Sequence, residues 1–463
     1  MVSDFPDKMN CGGTLETDKL LIANTFNEYF TNIGPSLASS IITTGLDSHK
    51  HYLTNKTKNI FKFQNISEKE ISETISSLKT KNSSGFDGIS TKLLKVIKTE
   101  ITKPLTCLIN QCLKTGTFPD NLKLAKVIPL HKKDDKTIIT NYRPISLLPS
   151  ISKIIEKVAY KQISKYFTSN NLFYKYQYGF RGNHSTEFAA LHLVDKITSE
   201  MDIGNLPLNI YLDLSKAFDT LDHTILLDKL EYYGIQNIEL TFFKKYLLNR
   251  KQFVQMGDIK SSTQEIKTGV PQGSILGPLL FVIYINDMSF ATKYFEFIMY
   301  ADDTTLMCSI TPQEFNNLQQ LAAKINKELK LINNWLKVNR LSLNVAKSKF
   351  MLFHMPQRKI APPTLYIDGV LIDGVTHFNF LGIIIQNNLK WDTHINAISL
   401  KICRTIGILN KLKNVLPQSI LKMLYYSLIV PHLNYGILLW GYSTGRIFKL
   451  QKKALRIITL SII

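Results

Sequence analysis

The chain has 463 residues, 44% of them hydrophobic, enough to bury a large core and to form about two to four domains or subdomains. Its 56 Lys and Arg against 36 Asp and Glu leave a net charge of +20, which suits a polyanionic partner such as nucleic acid or an acidic membrane surface. The five cysteines form no Cys-x-x-Cys pair, so a zinc knuckle is excluded, and their scatter suggests reduced thiols in an intracellular protein. No signal peptide opens the chain, and no internal repeat or long low-complexity segment interrupts it.

In chain order, Leu21, Ile22, Phe26, Tyr29, Phe30 and Ile33 recur at helical spacing, and Gly34-Pro35 is expected to end that helix. Ser67 with Glu70 reads as a capping box, and Ile71, Ile75 and Leu78 give the following helix an apolar stripe. Residues 118–148 read as a β-ribbon carrying Lys123, Lys126, Lys132, Lys133 and Arg143. Such a ribbon can hold a triphosphate or a template backbone, and each lysine can equally be a solvated face. Arg143 differs, because a planar guanidinium grips a phosphate in two places where a lysine offers one point charge. Residues 152–167 are amphipathic at helical spacing and belong to the core. In QYGFRGNHST, Phe180 is either a stacking surface for a template base or a packing aromatic.

Ile210, Leu212 and Leu214 alternate to one face of a strand, from whose other face Tyr211 and Asp213 project. Asp219 and Asp222 precede a helical run and read as structural groups at its start. Pro271-Gln272-Gly273 forms a turn before a helix that Ser274 caps and that buries Leu280, Ile283 and Tyr284. Residues 295–300 and 304–307 have strand character, with Asp302 and Asp303 on the hairpin turn between them. Adjacent carboxylates repel unless a cation sits with them, and the natural occupant is a hard divalent metal with oxygen ligands. With Asp213 brought alongside on a neighbouring strand, they form the ligand set of a two-metal phosphoryl-transfer site. A long amphipathic helix, a turn and a strand follow to residue 353. Residues 423–442 are apolar enough to raise a membrane span, but Pro431, His432 and Asn434 argue against one. The last helix keeps Ile447, Leu450, Ala454 and Ile458 apolar and shows no stop signal.

The Tyr-Ala-Asp-Asp turn, the upstream Asp-Leu-Ser-Lys-Ala-Phe-Asp run and the Pro-Gln-Gly between them resemble a reverse transcriptase of a non-LTR (LINE-like, jockey-like) retrotransposon, over roughly residues 60–460. The resemblance implies an α+β right-hand polymerase. Its parts would be an N-terminal extension (1–60), N-terminal helices and fingers (61–200), a palm with an antiparallel sheet (201–385, the reverse transcriptase domain running about 115–385) and a helical thumb (386–463). It implies RNA-directed DNA polymerase activity with two Mg²⁺ ions, Mn²⁺ being a possible substitute, on Asp213, Asp302 and Asp303. Arg143 would contact the nucleotide phosphates, Phe218 the sugar and Gln272 the nascent pair. Lys347, or Lys349 beside it, would protonate the leaving pyrophosphate. Lys126, Arg181, Leu381 and Gly382 would touch template or primer. The implied partners are an RNA template, a DNA primer and dNTPs, with no membrane, in a nuclear and cytoplasmic ribonucleoprotein. Family members usually continue past this point and carry an upstream endonuclease, so the chain resembles a truncated copy. The alternatives are a catalytically inactive nucleic-acid-binding relic and a group II intron-type reverse transcriptase or maturase.

Overall fold

The computed structural model describes residues 6–43, 45, 46, 48–53, 56–355, 357 and 360–459. The chain forms two compact units: one of Met1–Phe180, Leu214–Thr292 and Leu331–Asn344, the other of Arg181–Asp213, Lys293–Lys330 and Val345–Ile463. The strands that matter, in chain order, are β1 (Leu124–His131), β2 (Tyr142–Leu147), β3 (Leu206–Leu212), β4 (Lys251–Met256), β5 (Glu296–Tyr300), β6 (Asp303–Ile310), β7 (Lys349–Leu352), β8 (His377–Phe380) and β9 (Ile383–Gln386). The helices that matter are α1 (Lys19–Ser39), α2 (Ser150–Ser169), α3 (Thr186–Asp202), α4 (His223–Tyr232) and α5 (Leu276–Tyr284).

In the first unit β2, β1 and β4 pair in that order, β1 antiparallel to β2 and parallel to β4. One face of this sheet presents Ala125, Val127, Tyr142, Val254 and Met256 to Ile22, Ala23, Phe26 and Phe30 of α1. The N-terminal segment is therefore built into the core of this unit. Contrary to the sequence expectation, α1 does not stop at Gly34-Pro35 but runs through both to Ser39. An interior proline costs about 3 kcal/mol in an isolated helix, and here the buried apolar face outweighs it. Gly34 has another reason to be glycine: a Cβ there would lie 2.1 Å from the Asp219 carbonyl oxygen. The capping box forms as expected, Glu70 N–H donating to the Ser67 hydroxyl and the Glu70 carboxylate accepting from Ser67 N–H at 2.9 Å. The Ser274 hydroxyl accepts from Gly277 N–H at 3.0 Å, as expected of a cap, although Ile275 is the residue that directly precedes the helix.

The second unit is organised on a five-stranded sheet in the order Asp373–Gly374, β7, β3, β6, β5. Its pairs are antiparallel except for the short one between β7 and Asp373–Gly374. Every residue of β3 is buried, so both of its faces are covered. Leu214 lies beyond the strand and makes an isolated bridge to Leu343. β8 and β9 form a hairpin whose two-residue turn, Leu381-Gly382, has φ of +49° and +89°. Positive φ at both positions matches the twist of the flanking strands. The apolar stretch 423–442 breaks into Gln418–Leu428, Val430–Asn434 and Ile437–Trp440, and no helix among the described residues is long and apolar enough to cross a membrane.

Candidate active site

Strand register brings the three aspartates to one end of the sheet. β6 pairs with β3 so that Thr304 faces Leu212, and one step further along the ladder Asp303 comes level with Asp213. On its other edge β6 pairs with β5, Asp303 facing Tyr300, which leaves Ala301 and Asp302 as a two-residue turn. Ala301 holds φ at +55°, a left-handed value that costs an L-residue roughly 1–2 kcal/mol. Strain of that kind recurs where a turn must aim a side chain. The Asp213 N–H donates to the Ser348 hydroxyl at 3.3 Å, and Lys347 Nζ lies 4.0 Å from its carboxylate. Lys349 is engaged elsewhere, donating to Asp373 at 2.7 Å and to the Ala346 carbonyl at 2.8 Å. Of the two lysines considered for proton transfer, Lys347 is the one beside the carboxylates.

Negative charge collects at this end of the sheet. Asp303 is pushed up to about 6, by desolvation first and then by the negative charges of Asp302 and Asp213. The residue keeps an exposed face, so partial enclosure of the carboxyl, not full burial, is what acts. A divalent cation would relieve both causes, and three hard oxygen donors suit Mg²⁺. Among the described residues no three His, Cys, Asp or Glu side chains form a ready-made ion cage. Behind the carboxylates, Tyr211 stacks on Phe378 of β8 with ring centroids 3.8 Å apart and planes 9° from parallel, tying β3 to the Leu381-Gly382 hairpin. Leu381 and Gly382 lie against Tyr435, whose hydroxyl donates to the Leu381 carbonyl. Arg181, half-buried, opens the first segment of this unit.

The other expected contacts fall in the first unit. On the sheet face away from the core, Lys126 pairs with Leu147, and further along the same ladder Leu130 pairs with the exposed Arg143. Lys126 and Arg143 thus share a face. Lys123 does not: it is buried, donating to Asp120 at 2.7 Å and to the Leu248 carbonyl at 3.0 Å, so it is structural. Phe218 is half-buried, 4.7 Å from Phe281 and 6.4 Å from Phe180 between ring centroids. Phe180 itself is 40% exposed, with φ +55°.

The model of the reverse transcriptase (RNA-dependent DNA polymerase) family matches residues 130–385, which hold all three aspartates and the sheet that aims them. The chain belongs to that family. It is 28% identical over 413 residues to the probable RNA-directed DNA polymerase from transposon BS of Drosophila melanogaster, covering 84% of this chain and 44% of that protein. The corresponding polymerase from transposon X-element of the same organism is 27% identical over 409 residues, covering 84% and 43%. The RNA-directed DNA polymerase from mobile element jockey, also of Drosophila melanogaster, is 26% identical over 465 residues, covering 96% and 49%. The chain thus spans about half the length of these curated relatives.

Sequence reasoning treated Asp219 and Asp222 alike, and the reverse transcriptase fold separates them. Asp222 is the N-cap of α4, accepting from Thr224 and Ile225 N–H at 2.9 and 3.1 Å, and it also pairs with Arg340. Asp219 caps nothing. Both its carboxylate oxygens accept from Gln272 Nε2 at 2.9 Å. The partner lies 53 residues away, so no local pattern could have revealed it.

Burial raises the Asp219 carboxyl to about 6, against the opposing pull of the Gln272 hydrogen bond and the Lys216 charge. An ordinary Asp titrates near ~3.9, so between there and about 6 the folded chain binds a proton that the unfolded chain has lost. Stability from this group therefore falls as pH rises through that window. Urea denaturation of wild type and Asp219→Asn at pH 4.5 and 7.5 reads this directly. Wild type should lose stability relative to the variant at the higher pH, and an unchanged difference would show that the carboxyl pays no burial cost.

Proposed function

We propose that this chain is the polymerase region of a non-LTR retrotransposon RNA-directed DNA polymerase, extending a DNA primer on an RNA template. The observation that carries this reading is the register that sets Asp213 level with Asp303, beside Asp302 on a strained turn. The group II intron-type alternative is not favoured, because the relatives reported above are transposon polymerases. On this reading residues 61–200 supply the fingers, 201–385 the palm and 386–463 the thumb of a right-hand polymerase, with residues 1–60 as an extension.

Asp213, Asp302 and Asp303 would hold two Mg²⁺ ions, or Mn²⁺ in their place. When bound, such ions make the primer 3′-hydroxyl more acidic and neutralise charge on the triphosphate and the departing pyrophosphate. The remaining work falls to the chain. Arg143 grips the phosphates, Gln272 meets the nascent base pair, and Lys347 gives a proton to the pyrophosphate oxygen as its bond to the α-phosphorus breaks. Lys126 and Arg181 hold the template, and the Leu381-Gly382 turn supports the primer end. The +20 charge supplies the general attraction to nucleic acid. Template-directed extension of a DNA primer on RNA by the purified chain tests the reading.

Sugar selection falls to Phe218, five residues after Asp213. A phenyl ring under the ribose leaves a 2′-hydroxyl neither room nor a hydrogen-bond partner. Phe218→Val should admit ribonucleotides, lowering discrimination between dGTP and GTP by about tenfold or more in competition on one RNA template. If both efficiencies drop by the same factor, the ring serves only to pack against Phe180 and Phe281.

A further inference from the structure

We infer that Asp219 is a positioning residue for the nucleotide site, fixing the side-chain amide of Gln272 with its nitrogen turned inward and its oxygen left to face the nucleotide. The inference rests on the polymerase reading and on the role it gives Gln272. A carboxylate only accepts hydrogen bonds, so at 2.9 Å from both its oxygens the amide must present Nε2. The free end is then the acceptor Oε1. An unaided glutamine would offer either end, since the two amide orientations fill nearly the same space.

Backbone hydrogen bonds tie down the segments on either side of the pair. The Asp219 carbonyl accepts from the Thr268 hydroxyl at 3.0 Å, and Val270 N–H donates to the Phe218 carbonyl at 2.9 Å. Gly269 N–H donates to the Leu221 carbonyl at 2.8 Å. On the far side of the turn, Ser146 N–H of β2 donates to the Gln272 carbonyl at 2.9 Å. Gly273 lies so close to the same strand that a Cβ would come 2.4 Å from the Ser146 carbonyl oxygen. From above, α1 sets Gly34 directly on the Asp219 carbonyl. That helix lies outside the residues the family model matches, yet its Gly34 packs against the backbone of the residue that holds Gln272.

The pair is tested by exchanging its donor and acceptor. Steady-state incorporation on a primed RNA template is measured for wild type, Asp219→Asn, Gln272→Glu and the double variant, with thermal melting of each. Asp219→Asn lets the amide turn either way, and Gln272→Glu sets two carboxylates together. Each should raise the KM for dNTP about tenfold or more, the worth of a hydrogen bond to a charged group. In the double variant the new amide at position 219 again donates across the pair, and an oxygen at position 272 again faces out. KM should then return to within about threefold of wild type. A single-variant KM within about twofold of wild type, or a raised KM that the double variant does not restore, overturns the inference while the polymerase reading stands. Should wild type itself incorporate no nucleotide, both fall together.

Discussion

Asp302→Asn should abolish primer extension while leaving primer–template binding nearly unchanged, and Asp213→Asn should do the same. Each substitution keeps the shape of the side chain and removes its negative charge, so the strained turn at Ala301 and the β3–β6 register survive. On the proposed reading, what would go is the electrostatic hold on ions that stabilise charge in the transition state. The loss should reach at least ~10³-fold in single-turnover rate, or roughly 4 kcal/mol. Binding should persist because the net charge of +20 is spread over the chain and changes by one. Extension within about tenfold of wild type by either variant would remove that aspartate from the catalytic set.

The largest stability effect is expected at Lys229. Its ammonium group is fully buried, donating to Asp287 Oδ1 at 2.6 Å and to the Tyr284 carbonyl, and it lies 4.8 Å from the Tyr284 ring centroid and 4.7 Å from that of Trp335. The second Asp287 oxygen accepts from Trp335 Nε1 at 3.2 Å. Desolvation pulls the Lys229 pKa down, and the Asp287 charge and hydrogen bond push it back up. A pair of this kind contributes little net stability while complete, and costs heavily when halved. Lys229→Ala leaves the Asp287 carboxylate buried with one neutral donor, a loss of about 3–5 kcal/mol. Lys229→Met with Asp287→Leu removes both charges and should recover most of it. Denaturant titration followed by circular dichroism measures both variants. A loss below about 1 kcal/mol in Lys229→Ala would mean that water reaches the site and the pair is not enclosed.

Features written in neighbouring residues were legible from sequence. The aromatic and β-branched residues of 295–300 and 304–307 placed β5 and β6, though the turn falls on Ala301-Asp302 and Asp303 already opens β6, and Ser67 with Glu70 announced a cap that forms. Leu381 and Gly382, named from the resemblance alone, form a two-residue hairpin turn with positive φ at both positions. What sequence concealed depends on partners distant in the chain. Gly34-Pro35 carries the local signature of a helix end, but the packing of Phe26 and Phe30 under β2 decides otherwise. Lys123 looked like its neighbour Lys126 until Asp120 and the Leu248 carbonyl claimed it. Asp219 and Asp222 differ by three positions and by nothing in local composition, and only the fold brings Gln272 to one and Arg340 to the other. The buried pair of Lys229 and Asp287 joins residues 58 apart on separate elements, beyond the reach of any periodicity.

The most direct measurement is extension of an end-labelled DNA primer on an RNA template by the purified chain with Mg²⁺ and all four dNTPs, run beside Asp302→Asn. Wild type should make full-length complementary DNA, lost on chelation of the metal and absent from the variant even though it still binds the duplex. Binding by both proteins with extension by neither, or equal extension by both, would contradict this expectation.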